Sequence, residues 1–123
     1  MAKTVLVVDD SASLRQVVSI ALKGAGYDVL EASDGKDALS KLAGQQRVHL
    51  IISDVNMPNM DGIALVKAVK QLAQYKFTPI IMLTTESQEE KKREGQAAGA
   101  KAWVVKPFQP AQMLAAVSKL LPA

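Results

Sequence analysis

Five polar residues stand at the ends of short apolar runs, and their types suit phosphate or metal chemistry. Asp9 and Asp10 follow the run "TVLVV", and Asp54 follows "LIIS". Thr84 follows "PIIML", and Lys106 follows "AWVV". If each run is a strand of one parallel sheet, these side chains meet at its carboxyl edge, where open α/β sheets form their sites.

Three carboxylates at one edge repel one another, and removing them from water is costly. Mg²⁺ would offset this charge, because it binds carboxylate and carbonyl oxygens and keeps positions for water and phosphate. A carboxylate can also accept a phosphoryl group as an aspartyl phosphate. That transfer needs positioning and positive charge, which Lys106 and a metal would supply while Thr84 donates a hydrogen bond. These side chains therefore provide the groups that phosphoryl transfer requires.

The rest of the chain predicts the elements that position these residues. Runs of branched apolar residues predict five strands, at Thr4–Val8, Tyr27–Glu31, His49–Ser53, Pro79–Thr84 and Ala102–Val105. Three of the runs are almost continuously apolar, which is typical of parallel strands buried on both faces. Helical apolar spacing lies between them. Strict β-α alternation predicts an α/β fold, a doubly wound parallel sheet with five helices on its two faces.

Capping and breaking residues predict where the helices begin and end. Ser11 or Ser13 can cap the first helix, which would stop at Gly24 and Gly26. The later helices would begin after Asp34, Asp61 and Ser87 and at Pro110. The predicted apolar face of the first helix contains Leu14, Val17, Val18, Ala21 and Leu22, and that of the third contains Leu65, Val66, Val69 and Leu72.

Length and composition bound the function. The 123 residues suffice for one domain with a two-sided core, so we expect a single domain over residues 1–123. The chain has no cysteine, which excludes disulfides and thiolate metal sites. It has no apolar run of membrane-spanning length and begins directly with a strand, so we expect a cytoplasmic protein without membrane insertion.

The net charge of +3 is unevenly distributed. Residues 1–61 carry six Lys/Arg against eight Asp/Glu, and residues 62–123 carry nine against four. A basic half can attract nucleic acid or an acidic partner. Acidic residues at Glu89, Glu90 and Glu94 dilute this charge, and no element for reading a nucleic-acid groove is present, so no nucleic acid is expected as a partner.

Taken together, these motifs resemble the response-regulator receiver domain over essentially the full length. The resemblance rests on the acids in "VVDDS", on Asp54 in "SDVNMPNMDG", on Thr84 in "MLTTE" and on Lys106 in "VVKPF". Within the family it is closest to the single-domain chemotaxis regulators, because no effector domain follows the fifth helix. The resemblance implies a flavodoxin-like fold with strand order 2-1-3-4-5.

The resemblance also implies roles at the site. Asp54 would accept the phosphoryl group and, with Asp10 and the backbone carbonyl of Asn56, would bind Mg²⁺. Asp9 would act mainly through a metal-bound water. Lys106 would pair with the phosphoryl group.

Switching and hydrolysis are assigned by the same resemblance. Thr84 would move toward the phosphoryl group, and output would pass through the face of the fourth helix, fifth strand and fifth helix. Trp103 occupies the aromatic switch position, where the family more often has Tyr or Phe. Asn56 and Glu86 occupy the positions that tune autodephosphorylation.

The implied partners are a histidine kinase as phosphodonor, a protein target such as a flagellar motor switch protein, and a phosphatase, with the chain itself a monomer. The protein would be no enzyme beyond its own phosphorylation and dephosphorylation. A stand-alone receiver that drains or relays phosphate is the alternative within the family. An aspartyl-phosphate phosphohydrolase would need a second Asp where Asn56 stands, and a flavodoxin-like cofactor binder would need a phosphate-binding loop where Asp9 and Asp10 stand.

Overall fold

The apolar runs form one parallel sheet, as their composition predicts. The structure is a computed structural model that describes residues 3–44, 47–55, 60–84, 89–105 and 109–121. Its strands are β1 (Thr4–Val8), β2 (Asp28–Ala32), β3 (Leu50–Asp54), β4 (Ile80–Thr84) and β5 (Ala102–Val105). Its helices are α1 (Ala12–Gly24), α2 (Gly35–Ala43), α3 (Gly62–Lys70), α4 (Glu89–Ala98) and α5 (Pro110–Leu120), with a 3₁₀ turn at Ala73–Tyr75.

The strand order is β2-β1-β3-β4-β5, which confirms the order implied by the resemblance. All neighbouring strands are parallel, and their register aligns the carboxyl ends. Val8 pairs with Ser53, Asp54 with Leu83, and Thr84 with Val105. The polar residues that follow the strands therefore share one edge of the sheet.

Alternate residues of each strand enter two separate apolar layers, because successive side chains of a strand point to opposite faces. Leu6 and Val8 of β1 belong to one layer, and Val5 and Val7 to the other. α1 and α5 cover the second layer through Val18, Leu22, Met113 and Val117. α2 and α3 cover the first through Ala38, Leu42, Leu65, Val66 and Val69.

The capping predictions agree with the structure wherever the structure describes the cap. Ser11, rather than Ser13, accepts a hydrogen bond from the Leu14 N–H at 3.2 Å. Asp34 accepts from the Asp37 N–H at 2.8 Å, and Asp61 accepts from the Ala64 N–H at 2.7 Å. Pro110 is the first residue of α5. Ser87, the predicted cap of α4, lies outside the described residues.

The predicted apolar faces are wrong at two residues. Val17 is 50% exposed, because α1 turns the adjacent Val18 toward the sheet and neighbouring helical residues point about 100° apart. Leu72 is 37% exposed and lies beyond α3, which ends at Lys70. The Leu72 N–H donates to the Val69 carbonyl at 3.0 Å in the turn that leaves the helix. None of the helices in the described ranges combines the length and apolarity needed to cross a membrane.

His49, the only histidine, links β3 to β1 at the amino edge of the sheet. Its Nδ1 accepts a hydrogen bond from the Thr4 N–H at 3.0 Å, and its own N–H donates to the Thr4 carbonyl at 2.8 Å. Burial lowers the pKa of His49 below its usual 6.5, and the charges of Lys3 and Arg47 lower it further. The hydrogen bond from the Thr4 N–H requires Nδ1 to be an acceptor, which only the neutral imidazole offers.

This hydrogen bond predicts a loss of stability in mild acid. Below pH 6.5 the unfolded chain binds a proton at His49 more readily than the folded chain, so the free energy of unfolding falls as the pH falls through the folded pKa. His49→Asn keeps a side-chain hydrogen-bond acceptor and removes the imidazole that binds a proton in this pH range. Urea unfolding between about pH 7 and pH 5.5 should show a loss of stability in the parent that the variant lacks. Parallel pH profiles for the two proteins would contradict this role of His49.

Candidate functional site

The carboxyl edge of the sheet brings together the three carboxylates that the sequence singles out. One carboxylate oxygen from each of Asp9, Asp10 and Asp54 lies within 4.8 Å of the other two. Asp9 is 2% exposed and Asp54 is 7% exposed, whereas Asp10 faces solvent. Buried carboxylates so close together require a cation or donors to offset their charge.

Asp9 is fixed by contacts to three parts of the chain. Its N–H donates to the Ala32 carbonyl at 3.1 Å, and its Oδ1 accepts from the Ser11 N–H at 2.9 Å. Its carbonyl accepts a hydrogen bond from Nη1 of Arg15. The turn between β1 and α1, which presents Asp9 and Asp10, is therefore held on both sides.

Arg15 is a residue of the site that sequence reasoning missed. Besides the Asp9 carbonyl, it contacts Glu31 at the end of β2, with 3.3 Å between Nε and Oε1. The Arg15 side chain is only 18% exposed, so it spans β1 and β2 beside the acid cluster. The sequence offers one signal for this role: an arginine lies one turn into the helix that follows the acidic pair.

Asp54 is the last residue of β3, and its backbone is closely surrounded. Its Oδ1 accepts from the Val55 N–H at 2.9 Å, and its carbonyl accepts from Oγ of Ser53 at 2.9 Å. Gly62, the first residue of α3, donates its N–H to the Val55 carbonyl at 2.8 Å. A Cβ at residue 62 would lie 2.1 Å from the Asp54 carbonyl oxygen, so the close approach of the two segments requires glycine there.

The remaining predicted residues are only partly described. Thr84 is the last residue of β4, one strand from β3, so its backbone lies at the same edge as Asp54. Asn56, Glu86 and Lys106 lie outside the described residues, and their assigned roles stay predictions.

Trp103, the predicted switch residue, packs inward against α4. Its indole joins the first apolar layer as a partly buried member, and its Nε1 is buried with no hydrogen-bond partner among the described residues. The ring fits because residue 95 is glycine. A Cβ there would lie 2.8 Å from Cζ3 of Trp103.

Gly95 and Trp103 should therefore be energetically coupled. Gly95→Ala should destabilise the parent by about 1–3 kcal/mol, since the added methyl group overpacks the indole. In a Trp103→Phe background the smaller ring leaves room, and the same change should be neutral or stabilising by up to about 1 kcal/mol. Urea unfolding of the four proteins gives the coupling energy. Equal effects of Gly95→Ala in the two backgrounds would show that the residues do not interact.

The donor set fits a hard divalent cation. Asp9, Asp10 and Asp54 offer only oxygen ligands, which Mg²⁺ prefers over nitrogen and sulfur. Asp10 faces solvent, so the site has an open side for water and phosphate oxygens. Within the described ranges, these residues form the one group of three or more acids or histidines close enough to share an ion.

Comparisons with known proteins agree with this geometry. A family model described as the response regulator receiver domain matches residues 5–118. The chain is 42% identical over 106 residues to chemotaxis protein CheY1 of Helicobacter pylori, covering 85% of this chain and 86% of that protein. It is 40% identical over 121 residues to the alkaline phosphatase synthesis transcriptional regulatory protein PhoP of Bacillus subtilis, covering 98% of this chain but only 49% of that protein. The structure of Vibrio cholerae chemotaxis protein CheY4 superposes with a TM-score of 0.93 at 55% identity, covering 98% of this chain and 100% of that one.

Proposed function

This chain belongs to the response regulator receiver family, and from that premise we propose that it is a two-component phosphorylation switch with Asp54 as its phosphoacceptor. The observation that carries the proposal is the position of Asp54. It is 7% exposed, yet one of its carboxylate oxygens lies within 4.8 Å of those of Asp9 and Asp10. A buried carboxylate at the open edge of a sheet, beside two further acids, suits a nucleophile assisted by a metal.

The reaction is a phosphoryl transfer from a phosphohistidine. A carboxylate oxygen of Asp54 attacks phosphorus, the P–N bond breaks, and the imidazole leaves with the bonding electron pair. Asp10, Asp54 and the Asn56 carbonyl would hold Mg²⁺, with Asp9 acting through a water. When bound, the metal supplies positive charge against the phosphoryl oxygens.

The other residues position and read the phosphoryl group. The register of β3 and the close approach of Gly62 fix the backbone of Asp54, so that its nucleophilic oxygen needs little reorganisation. Lys106 pairs with the phosphoryl group and Thr84 donates to it. Asn56 and Glu86 tune the attack of water that reverses the modification. The movement of Thr84 shifts Trp103 and alters the face of α4, β5 and α5 that the target binds.

The proposed circuit has a histidine kinase as donor and a protein as target. Two similar proteins are named as chemotaxis proteins, which favours a target of the flagellar motor switch type. Another is named as a transcriptional regulatory protein about twice the length of this chain. We propose that residues 1–123 act as one receiver domain. This holds whether the domain signals to a motor protein or drains phosphate from another regulator.

Intact-mass spectrometry tests the function. With acetyl phosphate and Mg²⁺ the protein should gain one phosphoryl group, and EDTA should prevent the gain. The added mass should disappear on standing at neutral pH, because an aspartyl phosphate hydrolyses. If no mass is gained with Mg²⁺ present, the proposed switch is wrong.

Arg15 should set the affinity of the metal site. Arg15→Lys conserves the charge but loses the planar fork that contacts Asp9 and Glu31 together. Because the Asp9–Asp10 turn loosens, Mg²⁺ affinity measured by titration calorimetry should fall on the order of tenfold. Arg93→Lys, an exposed change on α4, should leave the affinity as it is. If both variants bind Mg²⁺ like the parent, Arg15 does not position the site.

A further inference from the structure

The amino edge of the sheet, opposite the acid cluster, carries a basic surface that phosphorylation chemistry does not use. We call it the amino-end patch. It consists of Phe77, the neutral His49 and the basic residues Lys3, Arg47, Lys70, Lys76 and Lys101. Arg47, Lys76 and Lys101 are exposed.

Strand pairing brings these residues together although they are distant in sequence. The His49 N–H donates to the Thr4 carbonyl at 2.8 Å, which places Lys3 beside the start of β3. The Lys101 N–H donates to the Ile80 carbonyl at 2.9 Å, and Nζ of Lys70 donates to the Thr78 carbonyl at 2.7 Å. The starts of β1, β3, β4 and β5 thus gather positive charge at one end of the molecule.

The pKa shifts of two of these residues agree with this gathering of positive charges. Burial lowers the pKa of Lys70, and the charge of Lys101 lowers it further. The pKa of His49 is lowered by burial and then by Lys3 and Arg47. Asp28 lies beside Lys3, to whose carbonyl its N–H donates at 2.9 Å, but no acidic residue of the described chain lines the cavity at the centre of the patch.

That cavity has a volume of about 480 Å³. Arg47 and His49 lie on its wall beside the apolar groups of Val48, Tyr75 and Pro79. Phe77 is 88% exposed at its rim. Nζ of Lys76 lies 5.8 Å from the centroid of the Phe77 ring. Burying this exposed aromatic ring against a partner would stabilise the complex by about 1.5–3 kcal/mol.

We propose that the amino-end patch docks an acidic peptide segment of a partner protein, with one apolar side chain of that segment in the cavity beside Phe77. The basic residues around the cavity complement carboxylates on either side of the apolar side chain. A nucleic acid fits less well, because its backbone follows a basic groove, whereas here the charges surround an apolar hollow. The patch lies at the end of the sheet opposite Asp54, so docking is independent of phosphorylation.

Fluorescence anisotropy with three labelled probes tests this proposal at about 0.1 M salt. The probes are a peptide of Asp and Glu around a central Phe-Leu pair, the same peptide with Ser-Ser at its centre, and single-stranded DNA of equal charge. The Phe-Leu peptide should bind at least tenfold more tightly than the other two. Phe77→Ser should weaken it about tenfold and Lys76→Gln about threefold. Phe77 is almost fully exposed, so its replacement should not disturb the fold.

Two controls separate the patch from general charge and from the phosphorylation site. Lys36→Gln removes an exposed base on α2, and Asp54→Asn removes the proposed phosphoacceptor. Both variants should bind the Phe-Leu peptide like the parent. Equal binding of the Ser-Ser peptide or of DNA, no binding of the Phe-Leu peptide, or no effect of Phe77→Ser would overturn the proposal.

Discussion

Asp54→Asn is expected to abolish the response of Trp103 to beryllofluoride and Mg²⁺. In the parent, this phosphoryl mimic should change the emission of the only tryptophan, because the proposed switch moves the partly buried indole that packs on Gly95. Asparagine has the shape of aspartate and can still accept the Val55 N–H. It lacks the anionic oxygen that would join the phosphoryl group and the charge that would bind the metal. The expected loss is complete.

Asp61→Asn is the matched control for this result. Asp61 is the next acid along the chain and caps α3 through the Ala64 N–H at 2.7 Å. Asparagine caps helices about as well as aspartate, so Asp61→Asn should keep both the fold and the emission response. If Asp54→Asn responds like the parent, Asp54 is not the acceptor.

Gly62→Ala should both cause a large loss of stability and distort the acid cluster. The added Cβ would lie 2.1 Å from the Asp54 carbonyl oxygen and 2.7 Å from Cε of Met82, and the carbonyl cannot move without shifting the end of β3. Alanine is preferred over glycine in helices by about 1 kcal/mol, but the overlap with backbone outweighs that gain. We expect a net loss of about 2–3 kcal/mol in urea unfolding and weaker Mg²⁺ binding, since Asp54 is displaced.

Gly24→Ala provides the comparison. Gly24 is the last residue of α1, and a Cβ there would meet nothing within 4 Å. The same substitution should be neutral or stabilise the protein by up to about 1 kcal/mol, with Mg²⁺ affinity unchanged. Equal stabilities of the two variants would contradict the close approach of Gly62 to Asp54.

The fold and the acid cluster were predictable because both depend on local patterns. Almost continuous apolar runs indicate strands buried on both faces, and parallel strands place their carboxyl ends at one edge. The bounds of β1 and β5 were predicted to the residue, and β2 and β3 are shifted by one. Asp9, Asp10 and Asp54 could therefore be brought together from the sequence, before any distance was known.

The contacts that hold the site were not predictable, because they arise from tertiary packing. Arg15 reads in the sequence as a polar helix residue, and only the pairing of β1 with β2 places Glu31 within its reach. Nothing in the sequence links Gly95 to Trp103, because only the structure shows that this glycine makes room for the indole. The orientation of α1 decided between the adjacent Val17 and Val18, which periodicity could not separate.

The central claim is that Asp54 carries the phosphoryl group, and chemical mapping tests it most directly. The protein would be treated with acetyl phosphate and Mg²⁺, reduced with borohydride, digested and sequenced by tandem mass spectrometry. Borohydride converts an aspartyl phosphate to homoserine and leaves free carboxylates unchanged. We expect homoserine at position 54, with Asp9, Asp10 and Asp61 unmodified. Homoserine at any of those three positions instead of 54, or none at all in a sample that had gained the phosphoryl mass, would contradict the assignment.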